Sequence, residues 1–214
     1  MTKEELLKQY DLLQEKYGAG ELNCIYGGGL DNEPKLCFVF MNPTGKNIAS
    51  AKNWHGIRYP WLGTKSVWKF FNEIGIISKE LNMLIQSKKS GEWSVEFCEK
   101  VYDEISKNGI YITNLAKCTQ IDARHLNDNI YKQYLELFEK ELELVRPKNI
   151  ILFGNQVSSI ILREKIKVSD ERKKERTHKG QGFDAKVYSV FYPVGNGRFN
   201  MPKAIEDLRW ILKT

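Results

Sequence analysis

Apolar residues recur along much of the chain at intervals of three and four, the spacing that places them on one face of an α-helix. The first such segment runs from about Thr2 to Tyr17. The same spacing predicts further helices over about 65–76, 95–107, 129–145, 155–166 and 202–213. The chain is therefore rich in amphipathic helices that need an apolar surface to cover.

Short runs that are apolar at consecutive positions lie between these helices, namely KLCFVFMNP, GIYITNLAKC, KNIILFG and AKVYSVFYP. Such runs are typical of strands buried on both faces. Strands that alternate with helices predict a parallel sheet between two helical layers. We therefore expect a single domain over residues 1–214, a three-layer α/β/α sandwich around a four-stranded parallel sheet. The charge-dense segment over about 168–182 is expected to be a basic loop.

The segments at the carboxyl ends of the predicted strands are MNPTGKN, TNLAKC, FGNQ and YPVGNGRFN. In parallel sheets, ligands bind in the crevice at these ends. Three of the four segments place an asparagine beside a turn residue. We expect the loops to converge on one polar crevice.

The first of these loops contains Asn42, Pro43, Thr44 and Gly45. A residue before proline is held extended, and glycine permits a tight bend. The amide of Asn42 can hold a base edge or a water molecule. The alternative is an Asx turn that only closes the strand.

Two further side chains suit a planar ligand. Trp61 lies in a loop just before a helix, where it can stack on such a ligand or instead fill the core. Asn114 ends an otherwise apolar strand. Its amide has a donor and an acceptor that match a pyrimidine carbonyl and N–H, or it can bond its own backbone.

The chain carries 33 Lys and Arg against 27 Asp and Glu, a net charge of +6 and a pI of about 9.0. This balance is compatible with a polyanionic partner without identifying one. The basic run over 171–179 includes Lys173 and Lys174. These lysines are candidates for phosphate contacts, and a solvated loop is the alternative interpretation.

Several other sites are excluded by spacing. The cysteines form no CxxC pair, and the histidines show neither HExxH nor a Ser-His-Asp order: Cys24, Cys37, Cys98, Cys118, His55, His125 and His178. The glycines at 27–29 precede a strand instead of linking a strand to a helix, which argues against a phosphate-binding loop. No metal site is expected. The charged amphipathic start and the lack of an apolar stretch of membrane-spanning length predict a cytoplasmic protein with reduced thiols.

Taken in order, these segments resemble the uracil-DNA glycosylase superfamily. IYGGGLDNEPKLCFVFMNPTG resembles its strand-loop opening, and the NP pair is similar to that of the mismatch-specific branch. PWLG and YITNLAKC resemble PFVG and YITNxxKC of the iron–sulfur branch. FYPVGNGRFN falls where the family carries HPS or NPSGLNR. The resemblance spans roughly residues 24–212.

The resemblance implies a role for each candidate. Trp61 would stack on a flipped base, Asn114 would hydrogen-bond its edge, and Asn42 would position the attacking water. Tyr192 replaces the family histidine that supports the base anion and would donate its hydroxyl instead. The loop of Gly195, Asn196, Gly197 and Arg198 would enter the DNA, with Arg198 as wedge or phosphate contact.

The departures from the family matter as well. The CxxC pair of the iron–sulfur branch is missing, Cys118 matches a single ligand position, and Tyr134 occupies a later one. We therefore expect no cluster and no other cofactor. Asn42 stands in place of a carboxylate and cannot act as a general base.

The sequence thus predicts a monomeric DNA repair glycosylase that removes a damaged base, uracil before others. A weakly active or inactive nucleic-acid-binding protein on the same fold is one alternative. A glycosylase for another deaminated base such as hypoxanthine is the other.

Overall fold

The computed structural model describes residues 1–123 and 126–213. Its helices are α1 Lys3–Tyr17, α2 Ser66–Glu73, α3 Lys79–Ser87, α4 Val95–Lys107, α5 Asp128–Val145, α6 Asn155–Ile161, α7 Val168–Glu171 and α8 Met201–Ile211. Its strands are β1 Gly28–Gly29, β2 Leu36–Phe40, β3 Ile110–Asn114, β4 Asn149–Phe153, β5 Arg176–Gly180 and β6 Phe183–Val190. Short 3₁₀ turns cover Ile48–Ser50, Ser90–Glu92 and Gly195–Asn200. Helices α3 and α7 were not predicted.

The strands form one six-stranded sheet in the order β1-β3-β2-β4-β6-β5. The four predicted strands are its central ones, β3, β2, β4 and β6, and they pair in parallel. The prediction of only four strands was wrong, because β1 and β5 add antiparallel edges. Strand β1 is two glycines long, too short to show a hydrophobic period.

Two apolar cores, one on each face of the sheet, make the fold a three-layer sandwich. On β2, Phe38 and Phe40 face a core with α2, α3, α4 and α8, whereas Cys37 and Val39 face a core with α1, α5 and α6. Every residue of β2 is buried, as a strand covered on both faces requires. The parallel strands end together, so their carboxyl-end loops meet at one edge of the sheet.

The first helix begins as the sequence predicts. The Thr2 hydroxyl accepts a hydrogen bond from the Glu5 N–H, and the Glu5 carboxylate accepts one from the Thr2 N–H. This reciprocal capping box satisfies two N–H groups that have no partner inside the helix. None of the helices in the described part of the chain is both long and apolar enough to cross a membrane.

The segment predicted as a basic loop, 168–182, is instead ordered as α7 and β5. Residues in β5 alternate between half-buried and exposed, so only one face of the strand packs. A charged edge strand of this kind escapes a search for apolar runs, and its charges also disfavour pairing with other chains. This prediction was wrong because an edge strand needs little apolar surface.

The two lysines predicted to bind phosphate in this segment pair with carboxylates of the protein itself. Lys173 pairs with Glu206 of α8, and Lys174 lies 3.6 Å from a carboxylate oxygen of Glu171. The neighbouring Arg172 donates to both carboxylate oxygens of the buried Asp207, at 2.9 and 3.1 Å. The pairs of Lys173 and Arg172 attach the segment after α7 to α8.

Acid should weaken this attachment. Hydrogen bonds from Lys173 and Arg172 lower the pKa of Glu206 from 4.5 to about 2. Because the folded-state pKa is depressed, the stabilisation is complete above about pH 4.5 and is lost as the pH falls toward 2. We expect Glu206→Gln to lower the thermal unfolding midpoint at pH 7, with the difference from wild type shrinking below pH 4.5. Circular dichroism melts across this pH range measure it.

Glu99→Gln is the matched control, because Glu99 is exposed on α4 and forms no ion pair within the described residues. Its midpoint should follow the wild type at every pH. A difference between Glu206→Gln and wild type that stays constant down to about pH 3 would contradict the assignment.

Candidate active site

A cavity of about 540 Å³ opens at the carboxyl ends of the parallel strands. Loops after β2, β3, β4 and β6 all line it, so the predicted convergence is observed. Its lining includes the predicted residues Asn42, Pro43, Thr44, Trp61, Asn114, Tyr192, Gly195, Asn196 and Gly197. A concave, mostly apolar site of this size with a few polar groups is suited to a small planar ligand.

Asn114, the last residue of β3, is the most informative polar group in this cavity. The residue is 2% exposed, and its Nδ2 has no hydrogen-bond partner among the described residues. Leaving a buried donor unpaired costs about 1–3 kcal/mol. The alternative in which this amide bonds its own backbone is therefore disfavoured. A ligand with an acceptor at this position would satisfy the donor.

Asn42 is held in one orientation by a residue that sequence reasoning missed. The buried Tyr131 of α5 donates from its hydroxyl to Asn42 Oδ1 at 2.7 Å, and Asn42 Nδ2 donates to the Pro43 carbonyl at 3.1 Å. Burial raises the pKa of Tyr131, so its phenol stays protonated and remains a donor. The second lone pair of Oδ1 is left for a water or a ligand. Tyr131 was missed because it lies among the apolar positions of the long helix α5.

An aromatic wall forms one side of the cavity. Phe40 at the end of β2 packs edge-on against Trp61, with ring centroids 4.9 Å apart, and against Tyr192 at 6.0 Å. Burial raises the pKa of Tyr192, which keeps its hydroxyl a donor. Aromatic rings of this kind can stack on a planar ligand.

The backbone of Trp61 is strained. Its φ of +66° lies in the left-handed region, which bulky side chains rarely adopt. Its carbonyl accepts hydrogen bonds from the Thr64 N–H and hydroxyl, at 3.2 and 2.7 Å, and from the Trp68 indole at 3.1 Å. Backbone strain that surrounding hydrogen bonds maintain is typical of functional sites.

One glycine of the loop after β6 makes a close backbone contact. A Cβ at position 197 would lie 2.2 Å from the Tyr192 carbonyl oxygen, so only glycine fits this approach. Beside it, Phe199 is 78% exposed, and the Arg198 guanidinium lies 4.6 Å from its ring centroid. An exposed phenylalanine next to an arginine was not singled out from the sequence. The sequence signal that could have identified Phe199 is an aromatic residue in an otherwise polar turn.

Gly45 does not line the cavity, and two lysines at or near the cavity were missed. The Gly45 N–H donates to the Gln120 carbonyl at 2.8 Å, which ties the loop after β2 to the loop after β3. Lys46 lines the cavity, and Lys203 lies 5.2 Å from the ring of Phe191, another lining residue. Neither lysine forms an ion pair among the described residues. These cations are available to an anionic ligand, in contrast to the paired lysines after α7.

The cysteines do not suit an iron–sulfur cluster. In the described part of the chain no three Cys, His, Asp or Glu side chains come together as a metal site, and His125 lies outside that part. Cys118 and Tyr134 are both buried, and burial first, then the proximity of Cys118, raises the pKa of Tyr134. Four thiolates are needed for such a cluster, and this position offers one.

A comparison with models of known protein families found a match over most of the chain. The model of the uracil DNA glycosylase superfamily matches residues 28–209, which include all four loops of the cavity. The chain belongs to the uracil-DNA glycosylase superfamily. Members of this superfamily are DNA glycosylases and act on DNA, which assigns the chain to a family of DNA repair hydrolases. No curated protein matches the sequence significantly.

Proposed function

We propose that this protein is a DNA glycosylase that extrudes a deaminated base, uracil in the first instance, and hydrolyses its N-glycosidic bond. The observation that carries the proposal is the buried Nδ2 of Asn114, which has no hydrogen-bond partner among the described residues, at a cavity lined by Trp61 and Tyr192. A flipped base supplies a flat face for Trp61 and a carbonyl for the amide donor. The family of the chain supports the same interpretation.

The hydrolysis needs a water molecule and a stabilised leaving group. Water forms a bond to the sugar carbon, and the electron pair of the broken bond leaves with the base. Asn42 is an amide, so it orients the water through its free lone pair instead of removing a proton. The proton lost by the water passes to solvent or to the departing base. Donors from Asn114 and Tyr192 stabilise the negative charge on that base.

Access to the base requires the duplex to open. Extrusion costs a few kcal/mol of stacking, which a side chain inserted into the gap offsets. Phe199 is suited to fill that gap by its exposure and its place on the loop after β6, whose neighbouring residues Gly197 and Asn200 line the cavity. Arg198, Lys46 and Lys203 are suited to contact phosphates.

Duplex oligonucleotides that contain one uracil, one hypoxanthine or one G·T mismatch test the proposal. Incubation with the purified protein and alkaline treatment should break the strand at uracil, and Asn42→Ala should remove the break. A break at hypoxanthine alone would transfer the assignment to that base.

A nucleic-acid-binding protein without glycosylase activity is the second candidate. It is favoured by the amide at Asn42 and by Tyr192 in place of a histidine, since neither can act as a general base near neutral pH. Salt-sensitive binding of all three duplexes without any strand break would support this candidate and contradict the first.

A further inference from the structure

Lys117, in the loop after β3, is a fully buried lysine three residues after Asn114, which lines the cavity. Its ammonium donates to the Asn114 carbonyl and to the Thr113 hydroxyl at 2.7 Å, and it lies 2.6 Å from Glu141 Oε2. An ammonium has three N–H donors, so every one is used.

Glu141 of α5 is satisfied just as completely. Its Oε2 accepts from Lys117 and from the Tyr10 hydroxyl at 2.8 Å. Its Oε1 accepts from the Tyr111 hydroxyl at 2.9 Å and from the Thr113 hydroxyl at 2.7 Å. Burial raises the pKa of both tyrosines, which keeps them protonated donors. The network joins α1, α5, β3 and the loop after β3.

A buried ion pair is weak evidence for stability, because apolar residues of similar volume often serve equally well. This pair is distinguished by the further group to which its lysine donates. The lysine donates to the carbonyl of Asn114, whose side-chain Nδ2 is buried at the cavity and has no partner in the described part of the chain. The next N–H along the chain, that of Leu115, donates to the Phe40 carbonyl at 2.8 Å. The peptide after Asn114 is thus held from both sides.

We infer that Lys117 and Glu141 are positioning residues that fix the position of the side-chain amide of Asn114. This inference rests on the proposed function, which gives Asn114 its catalytic role. The fixed geometry of Asn114 does not depend on that function. Because the pair does not line the cavity, it acts through Asn114 and not on the base.

The decisive variant is the double substitution Lys117→Met with Glu141→Gln. Lys117→Met alone would leave a buried carboxylate unpaired and risk unfolding. In the double variant the introduced amide oxygen still accepts from Tyr111 and Thr113, and the donor to the Asn114 carbonyl is lost. The matched control is Arg172→Met with Asp207→Asn, which removes another largely buried ion pair away from the cavity. Thermal melts of both establish that they are folded.

Two measurements are made on the folded variants. Single-turnover release of uracil at saturating protein should fall about tenfold to hundredfold in the Lys117/Glu141 variant, as for other supporting residues. Binding of undamaged DNA should not change. The side-chain amide NMR signal of Asn114, assigned by its loss in Asn114→Ala, should shift or broaden. In the control variant both the rate and the signal should match the wild type.

An unshifted Asn114 signal and an unchanged rate in the folded Lys117/Glu141 variant would overturn the inference. Equal losses in both double variants would also overturn it, because they would reveal a general loss of stability. If the wild type releases no base, the proposed function fails, and the NMR comparison alone then decides the positioning role.

Discussion

Asn114→Ala is expected to lower the single-turnover rate of uracil release about a hundredfold to a thousandfold, the usual cost of removing one preorganised donor to a developing anion. The amide is the only polar part of this side chain, and its Nδ2 has no partner at the cavity within residues 1–123 and 126–213. Asn114→Asp should be at least as damaging, because it keeps the shape and replaces the donor by an acceptor. Rapid-quench assays on a uracil-containing duplex give the rate.

Asn47→Ala is the matched control for this prediction. Asn47 is also buried at the cavity, but its amide is already satisfied, donating to the Tyr59 carbonyl at 2.8 Å and accepting from the Ala49 N–H at 3.0 Å. Its loss should lower the unfolding temperature and leave the rate of the folded protein intact. A rate for Asn114→Ala no lower than that for Asn47→Ala would refute the role of Asn114 in reading the base.

Phe199→Ala is expected to slow uracil release from duplex DNA about tenfold to hundredfold, matching the roughly 1–3 kcal/mol that an aromatic ring gains by stacking on a base. Release from single-stranded DNA should hardly change, because an unpaired base needs no wedge to hold it out of a stack. The ratio of the two rates, measured for variant and wild type under single-turnover conditions, isolates this effect.

Met83→Ala provides the comparison, because Met83 is 68% exposed on α3 and does not line the cavity. It should leave both rates unchanged. Equal slowing of Phe199→Ala on both substrates would show that Phe199 acts on the active site itself and not on the opening of the duplex.

Much of the cavity could be predicted from sequence because its residues sit at the ends of strands. Asn42, Asn114 and Tyr192 each end or follow an apolar run, and parallel strands bring such positions together. The prediction that Lys173 and Lys174 contact phosphates had less support, since a basic run does not reveal whether its charges are already paired. Glu171, which pairs with Lys174, lies three residues before it, whereas Glu206, which pairs with Lys173, is brought close only by the packing of α8.

The sequence by itself determined the alternation of helices and strands, the central parallel strands and the loops that meet at the cavity, because hydrophobic periodicity and turn residues are local signals. Only the tertiary structure decided the antiparallel edges and the ion pairs around α8. It also decided the bond from Tyr131 to Asn42 and the network around Glu141, which join residues 89 and up to 131 positions apart. Such contacts depend on how elements pack, and no local pattern encodes them.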